Sequence, residues 1–162
     1  MPIVLFRVDE RLIHGQVLVG WGGPLHAERI VVVDDALAAS PWEQELYRLG
    51  VPPEMESDFL SVDDARAALP GWKAGGRKTI VLVRDVATAR RMAEGRLLEG
   101  EEVNLGGIHH AEGRARILPY LHLRPDERAA LSEIAALGAK VSARDLPASR
   151  RAGLEELVGG GG

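Results

Sequence analysis

The chain has 162 residues, 20 Lys plus Arg against 24 Asp plus Glu, a formal net charge of −4 and 46% apolar residues. That suits one globular domain with a sizeable core, and the negative charge argues against a binder of duplex DNA or of an anionic membrane. The absence of cysteine excludes a disulfide scaffold, a thiolate zinc site and an iron–sulfur cluster, and 4% aromatic content speaks against base-stacking platforms. The opening residues carry neither a basic n-region nor a long apolar stretch, and no apolar run approaches a membrane span. No signal peptide is therefore expected, and a cytoplasmic location is. Three lysines stand against 17 arginines, a skew that reads first as genomic bias.

Ile3 to Val8 reads as a strand and Gln16 to Trp21 as a short helix. The β-branched run Arg29-Ile30-Val31-Val32-Val33-Asp34 has the pattern of a strand buried on both faces. Ser40-Pro41-Trp42-Glu43 offers an N-cap, a proline at the first helical position and a capping-box glutamate, for a helix that should end at Gly50. Ser61-Val62-Asp63-Asp64 opens another helix, expected to stop at Pro70-Gly71. Lys78 to Val83 is a second buried strand, with Asp85 capping a helix from Val86 to Ala93. Glu102 to Leu105 follows as a short strand broken by Gly106-Gly107. Ile117 to Leu123 is apolar but contains Pro119, which demotes it to an edge or irregular strand. Pro125 to Leu137 is a helix closed by Gly138, Ala139 to Ala143 a last strand, and Arg150 to Val158 a final helix. Residues 159–162 are expected to form a flexible glycine tail after a single domain spanning 1–158.

Strand–helix alternation of this kind predicts right-handed crossovers and an α/β fold: one open, mostly parallel sheet with helices on both faces. Ligands in such sheets sit at the carboxyl ends of strands. The loops after Val8, Asp34, Val83 and Leu105 are therefore the places to look.

The loop after the first strand is the informative one. His14 stands just before a glycine and a helix start, with Arg11 three residues earlier and Asp9 five earlier. Amides at a helix start attract anions, arginine clamps a phosphoryl oxygen, and a carboxylate can fix the tautomer of a nucleophilic imidazole. These ingredients suit a phosphohistidine, although a general acid/base histidine or a plain surface histidine would look much the same.

Phe6-Arg7-Val8-Asp9-Glu10-Arg11-Leu12-Ile13-His14-Gly15-Gln16-Val17 resembles the active-site loop of IIB components of the mannose/fructose/sorbose class of the bacterial phosphotransferase system, which typically reads V-R-I-D-D-R-L-I-H-G-Q-V. The similarity continues, in collinear order, through Arg29 to Asp35, Asn104 to His109, Ile117 to Leu123 and Val141 to Pro147. The resemblance implies an α/β fold and a phosphohistidine intermediate at His14, attacking through Nδ1. It places Arg11 against the phosphoryl charge and Asp9 as the group that holds the loop or orients the ring. It further implies that the Gly15 and Gln16 amides face the phosphate and that Asn104, Gly106 and Gly107 form a second wall.

In that reading the chain is a protein-Npi-phosphohistidine–sugar phosphotransferase subunit. It takes a phosphoryl group from a IIA partner and passes it to a sugar held by membrane IIC/IID components. No metal, organic cofactor or nucleic acid is implied, and a homodimer is left open. Two other readings stand beside it: a regulatory phosphohistidine protein without a transporter, and a non-phosphorylated binding module or metal-dependent hydrolase on a similar fold.

Other polar clusters have plainer readings. Adjacent His109 and His110, with Glu112, point to opposite faces of an extended segment and are poorly placed to share an ion. His26 and His122 read as structural or surface groups. Asp34-Asp35 could hold magnesium or a ribose, but no glycine-rich phosphate loop follows the first strand. Asp63-Asp64 suits a first helical turn, and Arg90-Arg91 and Arg150-Arg151 read as solvated helix faces. Arg124 stands where the family usually has a Ser or Thr N-cap, a local cost of about 1 kcal/mol.

Overall fold

A computed structural model describes residues 2–159. Seven strands form one sheet in the order β3-β2-β4-β1-β5-β8-β9. They are β1 (Ile3–Val8), β2 (Arg29–Val33), β3 (Glu56–Leu60), β4 (Thr79–Val83), β5 (Glu102–Leu105), β8 (Lys140–Ala143) and β9 (Ala152–Gly153). All neighbours pair in parallel except β8 with β9. A separate antiparallel hairpin joins β6 (Ala115–Leu118) to β7 (Leu121–Leu123), with Pro119 confined to its turn.

The alternation of side chains along the strands sorts the core into two layers. Val31 and Val33 of β2, with Val81 and Val83 of β4, face one layer. That layer is covered by α4 (Val62–Ala74), α5 (Val86–Ala93), α6 (Pro125–Ala136) and α7 (Leu154–Gly159). Ile30, Val32, Ile80 and Leu82 face the other, which is covered by the loop residues Leu12 and Ile13, a π-helical segment (Gln16–Trp21) and α2 (Asp35–Ala38). The π-helical segment runs on into α1 (Gly22–Leu25), and α3 (Pro41–Arg48), with no fully buried residue, packs against this layer through Tyr47. Helices on both faces explain why the runs 30–33 and 80–83 are apolar throughout.

Several expectations need correction. The edge strand β3 stands in a stretch to which no element was assigned, because its Glu56-Ser57-Asp58-Phe59-Leu60 buries only Phe59. Helix α4 runs through Pro70 to Ala74 rather than stopping there. Proline inside a helix costs about 3 kcal/mol. Carrying on buries Trp72, whose ring lies under the Arg29 guanidinium at 5.7 Å, and such burial is worth a comparable amount. The segment read as a helix from Arg150 is first the strand β9 and becomes helical at Leu154.

At α3, Pro41 takes the first turn as expected, but Ser40 makes no capping bond and the helix ends at Arg48. At α6, the missing Ser or Thr is offset by the reverse half of a capping box, in which Glu127 Oε1 accepts the Arg124 N–H at 2.8 Å. Of the expected glycine tail, Gly159 closes α7, and 160–162 lie outside the described residues.

The topology positions the site. From β1 the chain crosses to β2 and β3 on one side, returns to β4, then passes to β5 on β1's other flank. The carboxyl end of β1, between β4 and β5, is the crevice at that reversal.

Candidate active site at the carboxyl end of β1

Parallel pairing continues beyond the strand ends. Asp9 N–H donates to Val83 O and Gly106 N–H to Val8 O, while Glu10 N–H reaches Gly107 O at 3.0 Å. The Asp9 loop is thereby stitched to the turn after β5. A turn closed by Leu12 N–H on Asp9 O then reverses the chain, with Leu12 in the left-handed region at φ 56°. That conformation is strained for a non-glycine residue, and full burial of the leucine side chain holds it. The reversal brings His14 back over Asp9, and His14 O accepts from the Val17 and Leu18 amides at the start of the π-helical segment.

Asp9 is fully buried and is the hub. Its Oδ1 accepts the Arg11 amide at 3.1 Å and Arg11 Nε at 3.2 Å. Its Oδ2 accepts Arg7 Nε, Arg11 Nη2 and the Gly107 amide, and faces His14 Nε2 at 3.3 Å. Burial alone would push the Asp9 carboxyl up. The bonds from His14 and Arg11 and the charge of Arg7 overcome that and hold it well below the usual carboxylate range.

A depressed carboxylate contributes stability that is complete above its unfolded value, about pH 4, and is lost as the pH falls below it. Wild-type and Asp9→Asn melting temperatures should therefore differ most at neutral pH and converge progressively below about pH 4. A gap that stays constant through acid would contradict this role for the Asp9 charge.

His14 is thus oriented by one nitrogen. With Nε2–H donated to Asp9, Nδ1 carries the lone pair of the neutral ring. Arg11 shares Asp9 with it and also donates to Gln16 Oε1 at 2.8 Å, so Gln16 holds the arginine through its side chain. Gly15 is exposed and already helical, and the Gly15 and Gln16 amides donate to no protein acceptor among the described residues. Gly107 leaves room for Arg11, since a methyl group there would lie 3.2 Å from Arg11 Nη2. Asn104 is buried at the end of β5. Its Oδ1 accepts Arg7 Nη1 at 2.6 Å.

Arg7 is the site residue that sequence reasoning missed, although a lone arginine inside the apolar strand Ile3-Val4-Leu5-Phe6-Arg7-Val8 was a visible signal. It is completely buried beneath Asp9. Gly106 has to be glycine for its sake: a methyl group there would stand 2.3 Å from Arg7 Nη2.

The remaining candidates lie apart from this cluster. Asp34 caps α2 and pairs with Arg84, while Asp35 accepts the Val62 amide and pairs with Arg91. His109 Nδ1 sits on Glu10 Oε2 at 2.8 Å, whereas His110 packs edge-on against His122. Two clefts flank the loop on either side of Arg84. One of about 420 Å³ is lined by Ile13, Trp42, Leu46 and Tyr47, and one of about 400 Å³ by Glu10, Asp85, His109 and Arg114. Among the described residues no helix is long and apolar enough to cross a membrane.

The family model described as PTS system sorbose subfamily IIB component matches residues 3–161. The sorbose-specific EIIB component of Lacticaseibacillus casei is 31% identical over 89% of this chain and 87% of its own. The crystal structure of the N-acetylgalactosamine-specific IIB component 1 from Escherichia coli superposes with a TM-score of 0.84 at 28% identity, covering 93% of this chain and 97% of that one. The mannose-specific EIIAB component of Escherichia coli is 25% identical over 98% of this chain, which spans 49% of that protein. The chain belongs to the sorbose subfamily of IIB components of the phosphotransferase system.

Proposed function

We propose that His14 carries a phosphoryl group between a IIA donor and a sugar held by membrane IIC/IID components. The observation that carries this reading is the contact of His14 Nε2 with an ionised Asp9 that Arg7, Arg11 and the Gly107 amide hold rigidly. The donor's N–P bond breaks as a new one forms at His14 Nδ1, while the ring proton stays on Nε2 against Asp9. Arg11 offsets the phosphoryl charge, and the Gly15 and Gln16 amides are open to its oxygens. Such transfers ask for positioning and charge neutralisation rather than covalent chemistry from the protein.

The assay is direct. A phosphorylated mannose-class IIA domain should load the chain with acid-labile phosphate, and free hexose added alone should not draw it off. Failure to load from any such IIA, or discharge by hexose without membrane components, would refute the scheme.

The rim beside His14 suits a protein partner. On α3 and just beyond it Trp42, Leu46 and Leu49 recur at helical spacing, 67%, 57% and 84% exposed, and Trp42 and Leu46 line the cleft next to Ile13. A IIA domain that brings its phosphoryl group to His14 must cover this rim, and the EIIAB relative carries both units in one chain. Leu46→Glu should therefore weaken loading from IIA by about tenfold while leaving the melting temperature nearly unchanged, since the side chain is exposed. Unchanged loading kinetics at sub-saturating IIA would place the donor elsewhere.

A further inference from the structure

We infer that Arg7 is a positioning residue for phosphoryl transfer, holding Asp9 against His14 Nε2 so that the ring presents Nδ1. The inference rests on the reading of His14 as the acceptor, but its own test does not require phosphorylation.

The geometry is unusual for a strand residue. Arg7 lies on the same sheet face as Leu5, two residues earlier, yet it buries a guanidinium where its neighbours bury hydrocarbon. All three nitrogens of its fork donate. Nε donates to Asp9 Oδ2 at 3.3 Å, and Nη1 to Asn104 Oδ1 at 2.6 Å and to Arg144 O at 2.8 Å. Nη2 donates to Asp145 O at 3.1 Å, the same carbonyl that Trp21 Nε1 reaches at 3.0 Å. The guanidinium also lies over the Trp21 ring, 5.2 Å from its centroid. One side chain thus ties the β1 loop to the end of β5, the turn after β8 and the π-helical segment behind His14.

Stability does not call for this arrangement. A buried ion pair often contributes no more than apolar residues of the same volume, because desolvation offsets the attraction. What an aliphatic residue could not supply is direction. Asp9 Oδ2 meets four donors, and Arg7 is the one among them anchored on three other acceptors from distant segments. Arg11, by contrast, is partly exposed and is proposed to engage the incoming phosphoryl group. Arg7 is shut beneath the carboxylate, out of reach of an incoming group. Lysine cannot reproduce this, because its three donors radiate from a single point.

The test compares wild type with Arg7→Gln and Arg7→Lys. Nitrogen-15 spectra of the unphosphorylated protein report which ring nitrogen of neutral His14 carries the proton, and thermal melts report the folded fraction. Wild type should show Nε2–H predominating. Folded Arg7→Gln should show a mixture of tautomers and loading from IIA slowed about tenfold or more, as misplacement of a reacting group does. Arg7→Lys should recover part of both.

A purely structural role would lower the melting temperature and leave the tautomer of the folded molecules unchanged. Should Arg7→Gln fail to fold, Asn104→Ala removes the 2.6 Å anchor while keeping the buried charge. It should shift the tautomer ratio in the same direction by a smaller amount. Wild-type ring spectra in either folded variant overturn the proposal. Loading at a residue other than His14 in the wild type would instead overturn the reading on which it rests.

Discussion

His14→Ala is expected to abolish acid-labile phosphorylation of the chain, while His109→Ala and His110→Ala leave it intact. Alanine removes the only ring that reaches the buried Asp9 carboxylate among the described residues. No other histidine can take over. His109 is paired with Glu10 and is 70% exposed, and His110 packs against His122, whose Nδ1 faces the Ile108 carbonyl. An exposed imidazole still has a nucleophilic nitrogen, but it lacks both the tautomer control of Asp9 and the Arg11 fork. The loss should therefore be total within the assay's range, in a protein that still folds, because His14 is not part of the apolar core. Counting phosphate per chain after incubation with the upstream carriers decides it. Full incorporation into His14→Ala would remove the assignment.

Arg11→Ala should slow transfer tenfold to a thousandfold, roughly 1.4 to 4 kcal/mol of transition-state stabilisation. Arg11 is prearranged for the task. Nε and Nη2 lie on the two Asp9 oxygens, Nη2 also meets Gln16, and Nη1 has no protein acceptor among the described residues. The side chain is 38% exposed, so this cation can meet an incoming phosphoryl group without unpacking. Its removal leaves Arg7 and the Gly107 amide on Asp9, so His14 keeps its orientation. The defect should accordingly appear in the single-turnover rate of a protein that still folds. Arg11→Lys should recover only part of the rate, since a point charge lacks the planar fork. Wild-type rates in Arg11→Ala would exclude the clamp.

What could be read from the residues was mainly local. The β-branched runs of β2 and β4 and the Asp85 cap of α5 were legible because burial on both faces and capping leave short-range signatures. The loop that carries Asp9, Arg11 and His14 was legible as one segment. Strand β3 was not, because an edge strand with a single buried residue looks like any polar loop. Pro70 misled because tertiary burial of Trp72 outweighs a local helix-breaking preference.

Arg7 stood out in its strand, but its role was not legible, for another reason. Its partners Asn104, Arg144 and Asp145 are 97, 137 and 138 positions away, and only the fold brings them to it. Asn104 and Gly106, which the resemblance puts in a second wall of the site, also meet Arg7 in a way no local pattern shows. One anchors Arg7, and the other makes room for it.

The most direct measurement is a nitrogen-15 and phosphorus-31 spectrum of the chain loaded from phosphorylated IIA. The predicted result is a single phosphoramidate coupled to Nδ1 of His14, with its Nε2 still protonated and the other four histidine rings unmoved. A phosphoryl group on Nε2 of His14, or on any other ring, would contradict an imidazole aimed by Asp9.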